Sequence, residues 1–459
     1  MIAPPPSYKN ISDLQSALIK GAITSEALVS HYLKRINKLN PKLNAFIQVY
    51  ADDALAAAKE LDLKRKNGIV LSPLHGIPIA IKDLVDIKGR VTTLGSPLYK
   101  EVAHQSADII YLLEKAGLII IGKTHTVQFA LGAWGNNEHM DTPKNPWDLL
   151  RHLTPGGSSS GSAVAVSAGL VPLSIGTDTG GSIRIPAALC SITGMKTSIK
   201  RISTRGIAPL SKSLDTIGMF AKDAAPLIDL FQILSDTVQN HKSQDNQFPI
   251  NQMRFGRLHV DELRGVHPEI LDAYENSIDL IKGLGAEIET IKMPFTFESV
   301  AKVSSTIMLT EAAKEYGQIA LDSTKEVDSS VRPRLITGTQ ITETDYVNAL
   351  SNQASMKLEF ERAITNLDAV LTPCSLTPPI PIDEVNHDRP PVRYTRLVNL
   401  LDMCGISIPN GFDKEGLPLG LQIAGRTDED EKILVIAKNI QLKSNFHTNY
   451  PEHLDFYSA

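Results

Sequence analysis

The sequence predicts an α/β protein in which a sheet lies sandwiched between helices. Two observations carry that prediction. Along the chain, short apolar strand-like segments alternate with helix-like ones, the order that places helices against a sheet. In addition, 42% of the 459 residues are hydrophobic against 21% charged, enough apolar surface to bury a large core. Length alone allows one very large domain or two to three ordinary ones.

Helical periodicity appears first over Ile11 to Lys20 and Ser25 to Leu39, with Ser12 and Thr24 as the expected capping residues. An extended run at Asn44 to Tyr50 follows, then a helix at Asp52 to Lys66 and a strand at Ile77 to Ile81. The alternation continues through helix Ala107 to Ala116, strand Leu118 to Gly122, helix Ser162 to Ala168 and strand Val171 to Ile175. At Gln239 to Pro249 the polar run QNHKSQDNQFP reads as an exposed connection rather than a domain boundary. Helices at His267 to Leu284, Phe297 to Ala320 and Thr342 to Leu367 come next. A proline-rich loop from Pro373 to Pro391 is expected to fold over another part of the chain. There is no internal repeat or low-complexity tract.

A formal net charge of −5 gives little long-range attraction for phosphate backbones or anionic lipid, so nucleic acid and membrane are not the expected partners. No stretch approaches the ~20 uninterrupted apolar residues of a membrane span. Cys190, Cys374 and Cys404 are odd in number and scattered, which argues for a reducing compartment and for three buried thiols. The start MIAPPPSYKN lacks the pattern of a signal peptide, and the expected location is the cytoplasm.

Two motif matches fail on their mechanics. Gly117 to Thr124 (GLIIIGKT) fits the phosphate-loop pattern, but Leu118 to Ile121 is a β-branched apolar run that should itself be a strand. Gly157 to Gly161 (GSSSG) fits the nucleophile elbow around Ser159, yet the preceding DLLRHLTPG does not read as the strand an elbow requires. Ser159 in an α/β-hydrolase elbow stays as a lesser alternative. No cluster has metal-ligand spacing, so no metal and no cofactor are implied. His75 and His125 flank the motif strands and are expected to be structural.

Pro155 to Ala188 (PGGSSSGSAVAVSAGLVPLSIGTDTGGSIRIPAA) holds two Gly/Ser-rich loops separated by a helix and a strand, and a further helix starts at Ile185-Pro186. Glycine admits positive φ and removes the Cβ that would block approach, so backbone amides can converge on an oxyanion.

At these residues the sequence resembles the amidase signature family. The matching elements are GIPIAIKD (Gly76 to Asp83), GGSSSGSA (Gly156 to Ala163) and GTDTGGSIR (Gly176 to Arg184). Ser158 and Ser182 lie 24 positions apart, and Lys82 lies 76 before Ser158. The N-terminal helices, Lys144 to Asp148 (KNPWD) and Leu417 to Arg426 (LPLGLQIAGR) also look familial, so the likeness spans most of the chain.

The resemblance implies a single large domain, 1–459, with a mixed twisted sheet covered on both faces by helices. Within it stand N-terminal helices at 11–66, a catalytic core at about 70–225, a helical substrate-side insertion at about 260–367 and a C-terminal sheet and helix at 368–459. It also implies a mechanism. Ser182 would be the nucleophile, Ser158 a proton relay and Lys82 the base, with a cis bond between Gly157 and Ser158. Lys82 must then be buried and held partly neutral, because an exposed lysine with a pKa near ~10.4 stays protonated. The amides of Thr179, Gly180, Gly181 and Ser182 would form the oxyanion hole. Asp178 and Arg184 would brace that loop, and Ser159 would supply hydrogen bonds to substrate. The family usually has glycine where this chain has Ser160, so either the backbone is ordinary there or the turn differs.

By family position, Leu131 to Asn137 (LGAWGNN) would border the nucleophile, with Gly132, Ala133 and Trp134 contacting substrate. Tyr394, Arg396 and Asn399 would close the other side, and an arginine there would suit a carboxylate-bearing substrate. The expected activity is hydrolysis of a small-molecule amide by a free-standing enzyme, with a homodimer as the open assembly. The main alternative is the glutamine-hydrolysing A subunit of a tRNA-dependent amidotransferase. Such subunits typically read SIRQP where this chain has SIRIP (Ser182 to Pro186). A binding scaffold that has lost catalysis is the least expected, since Lys82, Ser158 and Ser182 are all present.

Overall fold

Caps and apolar stripes turn into helices much as the sequence indicates, with boundaries moved by a few residues. The computed structural model describes residues 10–235 and 248–454. The N-terminal segment weighed for a signal peptide and most of the polar run at 239–249 lie outside those residues.

The first part of the chain forms α1 (Ile11–Ile19), α2 (Ser25–Leu43), β1 (Phe46–Val49), α3 (Ala51–Lys66), β2 (Pro78–Lys82), α4 (Asp108–Lys115) and β3 (Ile119–Thr124). The middle follows with α5 (Ser160–Ser167), β4 (Leu173–Asp178), α6 (Arg184–Leu189), β5 (Thr193–Lys196), β6 (Thr216–Ala221) and α7 (Ala225–Leu234). Next come β7 (Arg254–Leu258), α8 (Pro268–Gly283), β8 (Glu287–Ile291), α9 (Phe297–Leu321), α10 (Arg332–Gln340) and α11 (Glu343–Ala363). The chain closes with β9 (Ala369–Pro373), α12 (Arg393–Leu400), β10 (Cys404–Phe412), β11 (Pro418–Gly425) and α13 (Asp430–Gln441).

Asn10, not Ser12, caps α1: its side chain accepts from the Asp13 amide at 2.8 Å. The helix begins one residue before Ser12, so Ser12 is already inside it. Thr24 caps α2 as expected. That helix runs past Leu39 through Pro41 to Leu43, because Leu43 still has a buried site to fill. Asn44 then ends it in the left-handed conformation at φ 51°. The helix α10 shows no helical signature in the sequence, because RPRLITGTQ carries both Pro333 and Gly338. The proline occupies the first turn, where its missing N–H costs nothing, and the glycine lets α9 approach. A Cβ on Gly338 would fall 2.1 Å from the Leu309 carbonyl oxygen.

Among the described residues, eleven strands join one sheet in the order β1-β3-β2-β4-β6-β5-β10-β11-β9-β7-β8. The pairs β2–β3, β2–β4, β7–β8 and β7–β9 are parallel and the others antiparallel, so the sheet is mixed, as predicted. Successive strand residues point to opposite faces. Every residue of β2, β4, β5, β6, β9 and β11 is buried, so both faces are covered there, while β8 at one edge stays largely exposed. The helix α5 lies on β2 and β4, and α6 on β5, β10 and β11. Two further helices, α10 and α11, pack on α9 rather than on the sheet. Through Ala312, Tyr316 and Leu335, this layer shares a core with Phe129 and Leu131. The three cysteines are buried and free. Among the described residues no helix is long and apolar enough to cross a membrane.

Candidate active site

Lys82 is the last residue of β2, the strand that runs parallel between β3 and β4. Three parallel strands therefore end together, the place where α/β sheets commonly build sites. Its side chain is fully buried. The Nζ donates to Ser158 Oγ at 2.8 Å and to Thr177 Oγ1 at 2.8 Å. Burial pushes its pKa down to about 7, against the opposing pull of the Asp178 and Asp215 carboxylates.

Ser158 reaches that position through a tight loop. Gly156 has φ +77°, and a Cβ there would sit 2.7 Å from the Pro186 Cα. The Gly157–Ser158 peptide bond is cis. The Gly156 amide donates to the Trp134 carbonyl at 3.1 Å and the Gly157 amide to the Ala133 carbonyl at 2.8 Å. The 131–135 segment thus holds the serine loop from outside. Ser160 is the first residue of α5 and has an ordinary backbone, so the family's glycine is not needed at that point. No strand leads into Ser159, so the elbow geometry is absent. Instead the Ser159 hydroxyl donates to the Thr177 carbonyl at 3.2 Å and accepts from the Thr177 amide at 3.3 Å.

The second loop leaves the end of β4. Ser182 is 9% exposed, whereas Ser158 and Ser159 are fully buried. The Ser159 amide donates to the Ser182 carbonyl at 3.3 Å, which ties the two loops together. Among the described residues, no protein group hydrogen-bonds the Ser182 hydroxyl or accepts from the Thr179, Gly180 or Ser182 amides. The Gly181 amide departs from the expectation of four oxyanion donors. It donates to Asp178 Oδ1 at 2.7 Å, since a buried carboxylate takes the nearest backbone donors.

Asp178 and Arg184 are both fully buried and meet in a bidentate pair, at 3.0 Å through Nε and 2.9 Å through Nη2. Arg184 also donates to the Thr395 carbonyl at 2.9 Å, to Gln422 at 2.6 Å and to Asn399 at 2.5 Å. Burial works against the Asp178 charge, but the Arg184 guanidinium prevails and holds the carboxyl at about 2. Breaking such a pair leaves an uncompensated buried charge. Asp178→Asn is therefore expected to lower the unfolding free energy by about 2–3 kcal/mol, read from urea denaturation at pH 7. The contribution is fully present above pH ~4 and is lost as pH falls toward 2, so the wild type and the variant should converge in acid.

Several residues were not singled out from the sequence. Thr177 lies inside the GTDTGGSIR motif, but nothing marked it as a partner of Lys82. Asp215, in the 211–215 turn, accepts from Thr179 Oγ1 at 2.5 Å and from the Leu210 and Ser211 amides at 2.8 and 2.9 Å. Burial raises it to about 6. Thr395 Oγ1 donates to the Gly180 carbonyl at 2.9 Å. Neither Asp215 nor Thr395 belongs to a motif.

Other expectations need correction. Asn399 does not close a pocket: it is buried behind the loop, bonded to Arg184 and to the Asp178 carbonyl. Tyr394 is fully buried and donates to the Glu262 carbonyl at 2.8 Å. Both lie on α12, whose apolar stripe turns them inward. Arg396, by contrast, lines a cavity with Trp134. The Trp134 Nε1 donates to the Asn386 carbonyl at 3.2 Å, so the proline-rich loop does fold over this side. His75 and His125 bond to the Leu61 and Met140 carbonyls at 3.0 and 2.8 Å, which accounts for them structurally.

Glu138, His139 and Asp328 bring ligand atoms within 4.8 Å of one another, a grouping invisible to sequence spacing. The Glu138 carboxylate is engaged by the Ser329 amide and hydroxyl, joining the 137–142 loop to the α9–α10 connection.

Among the described residues, eleven strands form a mixed sheet, with Lys82 and the second glycine loop at the ends of the parallel strands β2 and β4 and the first glycine loop bonded beside them. A solved structure described as an amidase superposes with a TM-score of 0.86 at 29% identity, covering 95% of this chain and 100% of that one. The peptide amidase of Stenotrophomonas maltophilia superposes with a TM-score of 0.85 at 25% identity, covering 98% and 100%. The chain belongs to the amidase family, whose sequence profile matches residues 27–434. Curated relatives include the glutamyl-tRNA(Gln) amidotransferase subunits A of Desulfatibacillum aliphaticivorans and Protochlamydia amoebophila. Each is 33% identical over 96% of this chain, covering 98% and 97% of those proteins.

Proposed function

We propose that this amidase acts alone on a small-molecule carboxamide, releasing a carboxylate and ammonia or an amine through an acyl intermediate on Ser182. The observation that carries the proposal is the 2.8 Å hydrogen bond between Lys82 and Ser158 in a dry site. With Lys82 neutral, its lone pair accepts the Ser158 proton while Ser158 takes the proton of Ser182. The Ser182 oxygen attacks the amide carbon, and the unoccupied amides of Thr179, Gly180 and Ser182 receive the developing oxyanion. The protonated relay then delivers its proton to the leaving nitrogen. Water, activated through the same Ser158–Lys82 pair, hydrolyses the ester and restores Ser182.

Ile185 favours a free-standing enzyme. It is buried and packs with Leu189 and Val392, with Ala133 against them, at the place where amidotransferase subunits typically read glutamine. An apolar residue there builds a dry wall next to the loop that holds Ser158. The second reading, a glutamine-hydrolysing subunit that passes ammonia to a partner, is favoured by the 33% identical relatives of that name. Ammonia release by the purified chain decides between them. Turnover of short aliphatic, aromatic or carboxylate-bearing amides without a partner is expected. Activity confined to glutamine, and only with a partner added, would overturn the proposal.

A further inference from the structure

Trp134 stands on the wall of a cavity of about 680 Å³ that also includes Phe297, Leu376, Val392 and Arg396. The wall carries three cations: Arg389 is exposed, Arg393 donates from Nη1 to the Arg264 carbonyl at 2.6 Å, and Arg396 is half-buried. Among the described residues the Arg396 guanidinium makes a 3.4 Å donation from Nη1 to Ser305 Oγ and pairs with no carboxylate. The acids on the same wall, Glu298, Glu384 and Asp388, are exposed. Burial lowers the Arg396 pKa, and no neighbouring acid offsets it. A half-buried cation without a counter-ion is unfavourable, and an anionic ligand would relieve it.

A second guanidinium stands close by. Arg334 of α10 donates to the Leu131 carbonyl at 2.8 Å and to the Ser330 carbonyl at 2.6 Å. Burial and the charge of Arg396 together bring it down to about 10, even though Asp388 and Asp328 oppose the shift. Both arginines are joined to the loops beside Ser182. Arg334 holds the segment whose Ala133 and Trp134 carbonyls anchor Gly157 and Gly156. Arg396 follows Thr395, which bonds the Gly180 carbonyl.

We propose that Arg396, backed by Arg334, receives a carboxylate on the substrate, so the amides hydrolysed carry that carboxylate on the part of the molecule seated beside Trp134. This rests on Ser182 being the nucleophile. The acid differs from a neutral analogue of similar shape by one charge-assisted contact, which sets the size of the effect.

The test uses the full chain with succinamate and its neutral methyl ester as substrates, and succinate alone as a binding probe in calorimetry. Wild type should prefer the acid and bind succinate. In Arg396→Gln the ratio of kcat/KM for acid over ester should fall about 10- to 100-fold, and Arg396→Lys should recover part of it. Because the ratio is taken on one preparation, a loss of folded protein cancels. An equal fall for both substrates, a preference of the wild type for the ester, or no succinate binding would overturn the proposal. Calorimetry on Ser182→Ala separates the two readings. Succinate binding that depends on Arg396 supports the anion site even if Ser182 proves not to be the nucleophile.

Discussion

Replacing Ser182 with alanine is expected to lower kcat at least ~10⁴-fold on any amide the wild type turns over. The reason is positional. Of the three serines brought together by the glycine loops, only Ser182 is partly exposed, and its hydroxyl has no protein partner among the described residues. Ser158 is buried against Lys82, and Ser159 is tied to both backbone groups of Thr177. Neither can take over the attack without breaking these bonds. Ser159→Ala should cost no more than about tenfold, the worth of a neutral hydrogen bond. Intact-protein mass spectrometry with a slowly deacylating ester should show one added acyl group, mapped to Ser182. A label on Ser159, with activity surviving in Ser182→Ala, would instead support the elbow alternative.

Lys82→Met should lower kcat by about 10²–10⁴-fold, the usual contribution of a positioned general base. Methionine keeps the apolar stem but cannot accept a proton. The pH profile carries the sharper information. A base must be neutral in the free enzyme, so kcat/KM of the wild type should rise with pH, bend near about 7 and stay level above it. Residual activity in Lys82→Met should show no such bend. Asp215 raises the Lys82 pKa through its charge, so Asp215→Asn should move the bend to lower pH. A profile identical in wild type and Lys82→Met would exclude Lys82 as the base.

Much of the fold could be read along the chain. The strand at Ile77 to Ile81 appears as β2, and the apolar run that disqualified a phosphate loop appears as β3, because β-branched runs flanked by glycine have little choice of structure. Thr24 was recognisable as a cap from its place before an apolar stripe. Asn10 takes the cap expected of Ser12 by a purely local bond to the Asp13 amide. For α10, whose Gly338 lets α9 approach, and for Tyr394 and Asn399, which turn inward on α12, a tertiary neighbour outweighs local preference.

The sequence by itself determined the alternation of strands and helices as far as β4, the family, and the residue types gathered at the glycine loops. Hydrophobic period, turn chemistry and motif spacing act within short stretches of chain, so they survive in one dimension. Only the tertiary structure decided that Lys82 is dry enough to fall to about 7, that Asp178 occupies the Gly181 amide, and that Arg396 lines a cavity with no carboxylate paired to it among the described residues. Those outcomes depend on desolvation and on charges brought together from distant parts of the chain, and neither quantity exists until the sheet and its helices have packed.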